Sequence, residues 1–362
     1  MKFDRRSALL AGLAAPFAAV AQTAPPKSDK PLPAGLTDPT ETIDLWPKGV
    51  PGKPATLPVE KVVERSTDGA LTDRAVSGIA NPRMAVFRPR IANGASVLIM
   101  PGGGYVRIVL DHEGYVLARW LAAQGFTAYV LFYRLPGDGW AAGPDVALSD
   151  AQRAMRLIRA QAIRNGLDAE RVAAIGFSAG GHLCADLATR HAAKTYDPVD
   201  GADKLSARPF LAAPIYPVVS MTAPAAHMGS RKQLIGENAN AELEAAHSPH
   251  RNVTKATPPC FLVHSEDDST VPVENSLLLR AALRAEGVPV ETHLFTHGGH
   301  GYGMTRAVGK PAGAWPELFL TWARSQGFAR APATKNGAET IPRRSRDEGC
   351  AGGASRRLMI TS

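Results

Sequence analysis

Cysteine is nearly absent from this 362-residue chain, with Cys184, Cys260 and Cys350 the only three. An odd, scattered set excludes a disulfide framework, and Cys184 and Cys260 fall inside apolar patterns that read as inert core. Packing alone must hold the fold. Long apolar runs are missing too: the longest, Ala8 to Val20, holds about 13 residues and is interrupted by Pro16. That is too short to cross roughly 30 Å of hydrocarbon, which excludes a membrane-spanning helix and predicts a soluble mature protein. A basic face is lacking as well. The formal charge of +8 divides into +2 over residues 1–21 and +4 over residues 330–362, leaving only +2 between them. Nucleic-acid binding needs lysine and arginine concentrated on a folded surface, so a nucleic-acid partner is excluded. No internal repeat is visible, and no G-x-G-x-x-G or lysine-terminated phosphate loop is present to hold a nucleotide cofactor.

The two charged ends read as separate segments. Residues 1–21 carry Arg5-Arg6, the apolar run, and Ala19-Val20-Ala21 as a small-x-small cleavage site, the pattern of an export signal. The paired arginines resemble a twin-arginine signal, with Asp4 and Ala8 departing from the preferred hydroxyl residue and phenylalanine. The expected location is therefore periplasmic or extracellular. Residues 22–60 are rich in Pro and Lys and read as a linker that becomes an edge segment, anchored by Leu45-Trp46-Pro47. From residue 330 to 362 Ala, Gly, Arg and Ser dominate without periodicity, a composition that cannot offset chain entropy by burial and predicts a disordered tail.

Between these ends the pattern alternates. Short strands are expected at residues 83–87 and 96–100, followed by a helix over about 113–124 with Val116, Leu117, Trp120 and Leu121 on one face and Gly125 ending it. A strand at 126–133 precedes a helix opened by Ser149 or Asp150 and stopped by Asn165-Gly166. Strands at 171–177, 210–219, 260–263 and 288–295, with helices at 181–188, 274–286 and 314–325, complete the series. Residues 220–257 break the alternation with two weak helical runs and read as a short insertion capping the strand ends. Strand and helix alternating at these lengths mean α/β architecture, a mostly parallel central sheet with helices on both faces, over one domain from residue 61 to 329.

The most informative segment is Gly176-Phe177-Ser178-Ala179-Gly180, a G-x-S-x-G between an apolar strand and an apolar helix. A turn that tight needs small flanking residues and forces the serine outward beside the first free amides of the helix, the placement of a nucleophile. Serine alone is weak at neutral pH, so it needs a base, and the base needs a third group to fix its tautomer. Of ten histidines, His300 is the best base candidate, in the glycine-flanked loop Gly298-Gly299-His300-Gly301 after the last strand, with His297 as the alternative. His182 and His264 lie within helix and strand patterns and are expected to satisfy buried hydrogen bonds. For the acid, Glu266-Asp267-Asp268 follows the strand at 260–263; Asp268 is the candidate and Asp267 the alternative. The order nucleophile, acid, base belongs to the α/β-hydrolase fold. A developing oxyanion needs two unobstructed amides about 3 Å away. Pro101-Gly102-Gly103-Gly104-Tyr105, directly after a strand, offers Gly103 or Gly104, and Ala179 offers the second amide.

Taken together, PGGGY, Asp111-His112-Glu113-Gly114, GFSAGGH, Asp267-Asp268 with VPVENS, and GGHGYG make residues 46–328 resemble the secreted bacterial esterase/lipase group of α/β-hydrolases described as acetylxylan esterase-like. The resemblance implies an α/β-hydrolase fold with a short cap, a serine esterase working without cofactor or metal, and a small-molecule or polysaccharide ester as substrate, with acetyl esters of xylan foremost. It also implies the acid at the third position before Val271, which is Asp268. Ser265 and Glu266 stand where relatives often carry small residues. Tyr105, and Trp140 in the loop at residues 135–144, lie at strand carboxyl ends and are candidates to stack on sugar rings. Asp111-His112-Glu113 read as a cap on the first crossover helix. Two rivals stand beside this reading. A prolyl-oligopeptidase-like peptidase shares the triad order, but some 60 residues ahead of the domain cannot build its accessory domain. A catalytically silent carbohydrate-binding protein would normally lack a triad residue, and none is missing.

Overall fold

The structure is a computed structural model that describes residues 38–329, apart from 40, 69 and 70. The export signal, most of the linker and the 330–362 tail lie outside the described residues. Eleven strands occur among those described: β1 Thr42–Asp44, β2 Lys61–Glu64, β3 Arg74–Ser77, β4 Arg83–Phe87, β5 Ser96–Met100, β6 Ile108–Val109, β7 Thr127–Phe132, β8 Val172–Phe177, β9 Ala212–Ile215, β10 Cys260–Ser265 and β11 Val290–Phe295. Eight form one sheet in the order β1-β4-β7-β5-β8-β9-β10-β11, and β2-β3-β6 form a small antiparallel sheet. From β7 to β11 every pairing is parallel, while β1 and β4 add an antiparallel edge. Strands β5, β7, β8, β9 and β10 are buried along their whole length. Continuous apolar runs such as Ser96–Met100 and Val172–Phe177 suit a strand covered on both sides.

The helices are α1 Val116–Ala123, α2 Val146–Gln161, α3 Ser178–Arg190, α4 Met228–Ile235, α5 Ala241–Ala246, α6 Glu274–Ala285 and α7 Trp315–Ser325. Helix α1 packs on β7, α3 on β8 and β9, α6 on β10 and β11, and α7 on β10. After β5 the chain crosses to β7 on one side, then returns to β8 on the other. Loops leaving two neighbouring strands in opposite directions open a crevice at their carboxyl ends, where open α/β sheets bind ligands. The segment after β5 is the triple-glycine loop, and the segment after β8 is the serine turn.

Several boundaries differ from expectation. The first crossover helix starts at Val116, because residues Asp111–Tyr115 form a π-helical turn rather than its first turn. Helix α2 starts at Val146, so Ser149 and Asp150 lie inside it. Asp150 does not cap; its buried carboxylate accepts Nε1 of Trp46 at 2.7 Å and Nη2 of Arg134 at 2.8 Å. Strand β9 ends at Ile215 rather than 219, because Tyr216 adopts φ 36°, which ends the extended backbone. The small sheet was not anticipated: Lys61–Glu64 is largely exposed, and a two-residue β6 carries no periodicity.

Candidate active site

Strand β8 delivers Ser178 onto the first position of α3 with φ 54°. A β-carbon on Gly176 would strike the Gly180 carbonyl, and one on Gly180 would strike the carbonyls of Met100 and Pro101. Both flanking glycines are thus required by backbone closeness, which seats the turn against the end of β5.

The base and the acid meet the serine. His300 Nε2 lies 2.8 Å from Ser178 Oγ, and its Nδ1 lies 2.7 Å from Asp268 Oδ2. An ionised carboxylate only accepts, so Nδ1 carries the proton and Nε2 receives the serine hydroxyl. Asp268 is held on all sides. Oδ1 accepts the amides of Thr270 and Val271, each at 2.9 Å, and Oδ2 lies 3.2 Å from His264 Nε2. Burial opposes ionisation of Asp268, but hydrogen bonds from His264 and His300, the His300 charge and the Val271 amide together hold its carboxyl well below the usual range. His264 is therefore the buried hydrogen-bonding residue expected from its strand pattern, with Nδ1 on Ser276 Oγ at 2.8 Å, and it also braces the acid. Asp267 points elsewhere: its Oδ1 accepts the amides of Gly298 and Gly299 at 2.9 and 2.8 Å, anchoring the loop that carries His300. His297 is mostly exposed and lies beside Asp267, not Ser178.

The glycine loop after β5 is pinned at its base. Gly102 donates to Glu113 Oε2 at 2.8 Å and accepts Val109 N at 2.8 Å. Gly103 has φ 133° and Gly104 φ 66°, and among the described residues neither amide is engaged by an acceptor. Both line the same cleft as Ser178 and His300. Ala179 is the second residue of α3, a position whose amide has no intrahelical acceptor. The three amides assigned from sequence thus border or abut the serine with their donors available.

The cleft measures about 610 Å³. Helix α4 contributes Lys232 and Gln233 to it, His227 approaches from the N-cap of α4, and Arg65, Arg107 and Arg306 also line it. Burial and the His300 charge lower the His227 pKa. The cap expected at residues 220–257 comprises α4 and α5, tied down by the buried Arg231, which donates to Met221 O at 3.1 Å and Glu244 Oε1 at 2.7 Å.

Two assignments are corrected. Tyr105 is 1% exposed and Trp140 3% exposed, and neither lines the cleft, so no ring face is available to a sugar. Tyr105 donates its hydroxyl to His182 Nδ1 at 2.7 Å, and Trp140 lies under the Arg134 guanidinium, 5.0 Å from its ring centre. A large apolar ring at a strand end was drawn into the core by its own area. The cap expected from Asp111-His112-Glu113 is not formed: these residues make the π-helical turn before α1, whose N-terminus has no side-chain cap hydrogen bond, and they hold other segments instead. Asp111 accepts Nη2 of Arg74 at 2.7 Å, His112 Nδ1 lies 2.8 Å from Asp73 Oδ1, and Glu113 holds the glycine loop. Glu113, His264, Asp267 and Tyr216, whose ring stands edge-on to His300 at 5.1 Å, form a support for the triad whose roles the motifs did not assign. The sequence drew attention to Glu113 within Asp-His-Glu-Gly, to Asp267 as the alternative acid and to His264 as a buried hydrogen-bonding residue, while nothing local pointed at Tyr216.

Curated relatives match in part. An endo-1,4-beta-xylanase B of Butyrivibrio fibrisolvens is 36% identical over 205 residues, covering 57% of this chain and 32% of that protein. An acetylxylan esterase of Xylanibacter ruminicola is 30% identical over 227 residues, covering 61% of this chain and 44% of that protein. The chain thus spans less than half the length of these relatives. Among solved structures, an acetyl ester-xyloside bifunctional hydrolase from Caldicellulosiruptor lactoaceticus is 34% identical with a TM-score of 0.63, covering 82% of this chain and 100% of that one. The sheet order, the strand-to-helix serine turn and these likenesses identify an α/β-hydrolase fold. With a family profile matched over residues 86–283, the chain belongs to the BD-FAE family.

Proposed function

We propose that the protein is a serine carboxylic ester hydrolase acting on acetyl esters of xylan or a related carbohydrate. The observation that carries this reading is the continuous relay from Ser178 Oγ to His300 Nε2 at 2.8 Å and from His300 Nδ1 to Asp268 at 2.7 Å. Ser178 attacks the ester carbonyl while His300 Nε2 takes its proton. Asp268 keeps Nδ1 protonated and stabilises the imidazolium that forms. The carbonyl oxygen, now an anion, is received by the amides of Ala179 and of Gly103 or Gly104. His300 returns the proton to the leaving alcohol, and an acyl-enzyme remains on Ser178. Water then attacks the acyl carbonyl as His300 removes its proton, the bond from Ser178 Oγ to the acyl carbon breaks as His300 returns the proton to Ser178, and the carboxylic acid leaves.

The acetylated-carbohydrate part of the reading is supported by the acetylxylan esterase and bifunctional acetyl ester-xyloside hydrolase among the similar proteins. The open cleft suits the end or side chain of a polysaccharide. Export belongs to the same reading and rests on Arg5-Arg6, the apolar run and Ala19-Val20-Ala21.

The test is release of 4-nitrophenol from 4-nitrophenyl acetate, and of acetate from acetylated xylan, by wild type and Ser178→Ala. Turnover by wild type that vanishes in the variant is expected. Activity surviving the substitution removes the mechanism, and no turnover by wild type removes the esterase.

A further inference from the structure

The wall of the cleft carries more positive charge than the protein neutralises. Asp73 serves Arg65 at 2.6 Å, Arg306 at 2.7 Å and His112 at 2.8 Å, so one carboxylate is already shared among three groups. Lys232, which also lines the cleft, reaches Glu237 at 2.5 Å. Arg107 is different. It lines the cleft with Ser178 and His300, its Nε is fully occluded from solvent without a hydrogen-bond partner, and among the described residues it forms no ion pair. Burial lowers its pKa, as does the like charge of Arg65, and the charge of Asp73 offsets this only in part.

An unpaired, partly desolvated guanidinium is costly, and it persists where something absent from the free protein pairs with it. Its position supports that explanation. Arg107 lies at the end of the glycine loop, and a β-carbon on Gly103 would come within 3.0 Å of its Cγ. The residue therefore stands beside the amides assigned to the oxyanion. A planar guanidinium matches a carboxylate by two parallel hydrogen bonds. A wholly neutral ester would leave it unpaired in the bound complex.

We propose that the cleft selects esters bearing a free carboxylate close to the scissile bond, and that Arg107 binds that carboxylate, with Arg65 adding a second positive charge beside it. The carboxylate belongs either to the alcohol side, as in an acetylated sugar next to a uronic acid, or to the acyl side, as in a half-ester of a dicarboxylic acid. This rests on the esterase reading and narrows its substrate class.

The experiment compares kcat/KM for paired probes on the full chain. The alcohol arm sets 4-acetoxybenzoate against phenyl acetate, and the acyl arm sets monomethyl glutarate against methyl butyrate. A preference of about tenfold or more for the charged member of one pair is expected, the worth of one charge-assisted hydrogen-bonded contact, and the arm that shows it identifies the side. In Arg107→Gln that ratio falls toward one, mainly through KM. In Arg107→Lys it is intermediate, and added salt lowers it in wild type. Neutral-ester turnover in each variant reports that it has folded. If both neutral esters are hydrolysed with no preference in either arm, or if the preference survives Arg107→Gln, the carboxylate site is overturned while the esterase stands. If no ester is turned over by wild type, the esterase reading fails and this inference with it.

Discussion

Tyr216 donates its hydroxyl to Glu113 Oε1 at 2.9 Å, while the other carboxylate oxygen of Glu113 holds the Gly102 amide at 2.8 Å. The same Tyr216 oxygen accepts the Gly303 amide at 2.8 Å. One buried carboxylate and one buried phenol thus tie the loop that presents the oxyanion amides to the loop that carries His300. Both residues are at most 2% exposed, so every bond in the bridge is made in a low-dielectric interior, where an unsatisfied partner is costly.

Glu113→Ala is expected to loosen both loops at once. Losing a well-placed oxyanion donor costs about 10²-fold or more in kcat, and two buried groups left unpaired cost about 1–3 kcal/mol each. The expected result is a kcat reduced by about one to two orders of magnitude with a smaller change in KM, and a lowered Tm. Glu113→Gln, which keeps one acceptor, should be milder on both counts. Steady-state kinetics with thermal melts decide it, and an Ala variant with wild-type kcat and Tm would contradict the bridge.

Asp267 and Asp268 are neighbours with separate tasks. Asp268→Asn should reduce kcat by about 10⁴-fold, because an amide in place of the carboxylate favours the wrong imidazole tautomer. Asp267→Asn keeps an oxygen for the amides of Gly298 and Gly299 and should cost far less. Equal losses in the two variants, or the reverse order, would reassign the acid.

Stability is expected to fall on acidification below about pH 6.5. Burial lowers the His182 pKa from 6.5 to about 4, only partly offset by its bond to the His247 carbonyl. The unfolded chain therefore takes up a proton at this residue while the folded one does not, so stability is full above 6.5 and is lost as pH drops toward 4. The shift corresponds to about 3 kcal/mol. His247, His250, His191 and His227 are lowered in the same direction by burial and add to the trend. Chemical denaturation of wild type and His182→Gln at pH 7 and pH 4.5 is the check: the variant should show a shallower decline, and an identical pH dependence would refute the assignment.

The Arg134–Asp150 pair is buried at both ends, with side-chain exposures of 1% and 0%. Asp150→Ala strands a guanidinium in the core and removes the acceptor of Trp46 Nε1, for an expected loss of about 3–5 kcal/mol. Trp46→Phe should cost less, since the ion pair survives. Urea denaturation distinguishes them, and a loss below 1 kcal/mol for Asp150→Ala would show that the site relaxes around the free arginine.

Residues close in the chain announced most of what they do. The run Arg171–Gly180 carried strand, turn and helix in ten positions, and the steric demands of that turn required glycine at 176 and 180. His300 could be picked from ten histidines because a glycine-flanked loop after a terminal strand is a local signature. Apolar periodicity likewise placed β5, β8, α6 and α7, because burial on one or both faces leaves a repeat of fixed length. Local pattern could not tell what side chains from distant segments would do to each other. Asp150 has the look of an N-cap and becomes the partner of Arg134; Tyr105 and Trp140 have the look of sugar platforms and are taken into the core. Glu113 and Tyr216 acquire their bracing roles, and Arg107 its place in the cleft with Ser178, only when segments as much as a hundred residues apart are brought together. Hydrogen bonding and ion pairing act over about 3 Å, a separation that strand order and crossover direction decide and neighbouring residues alone do not.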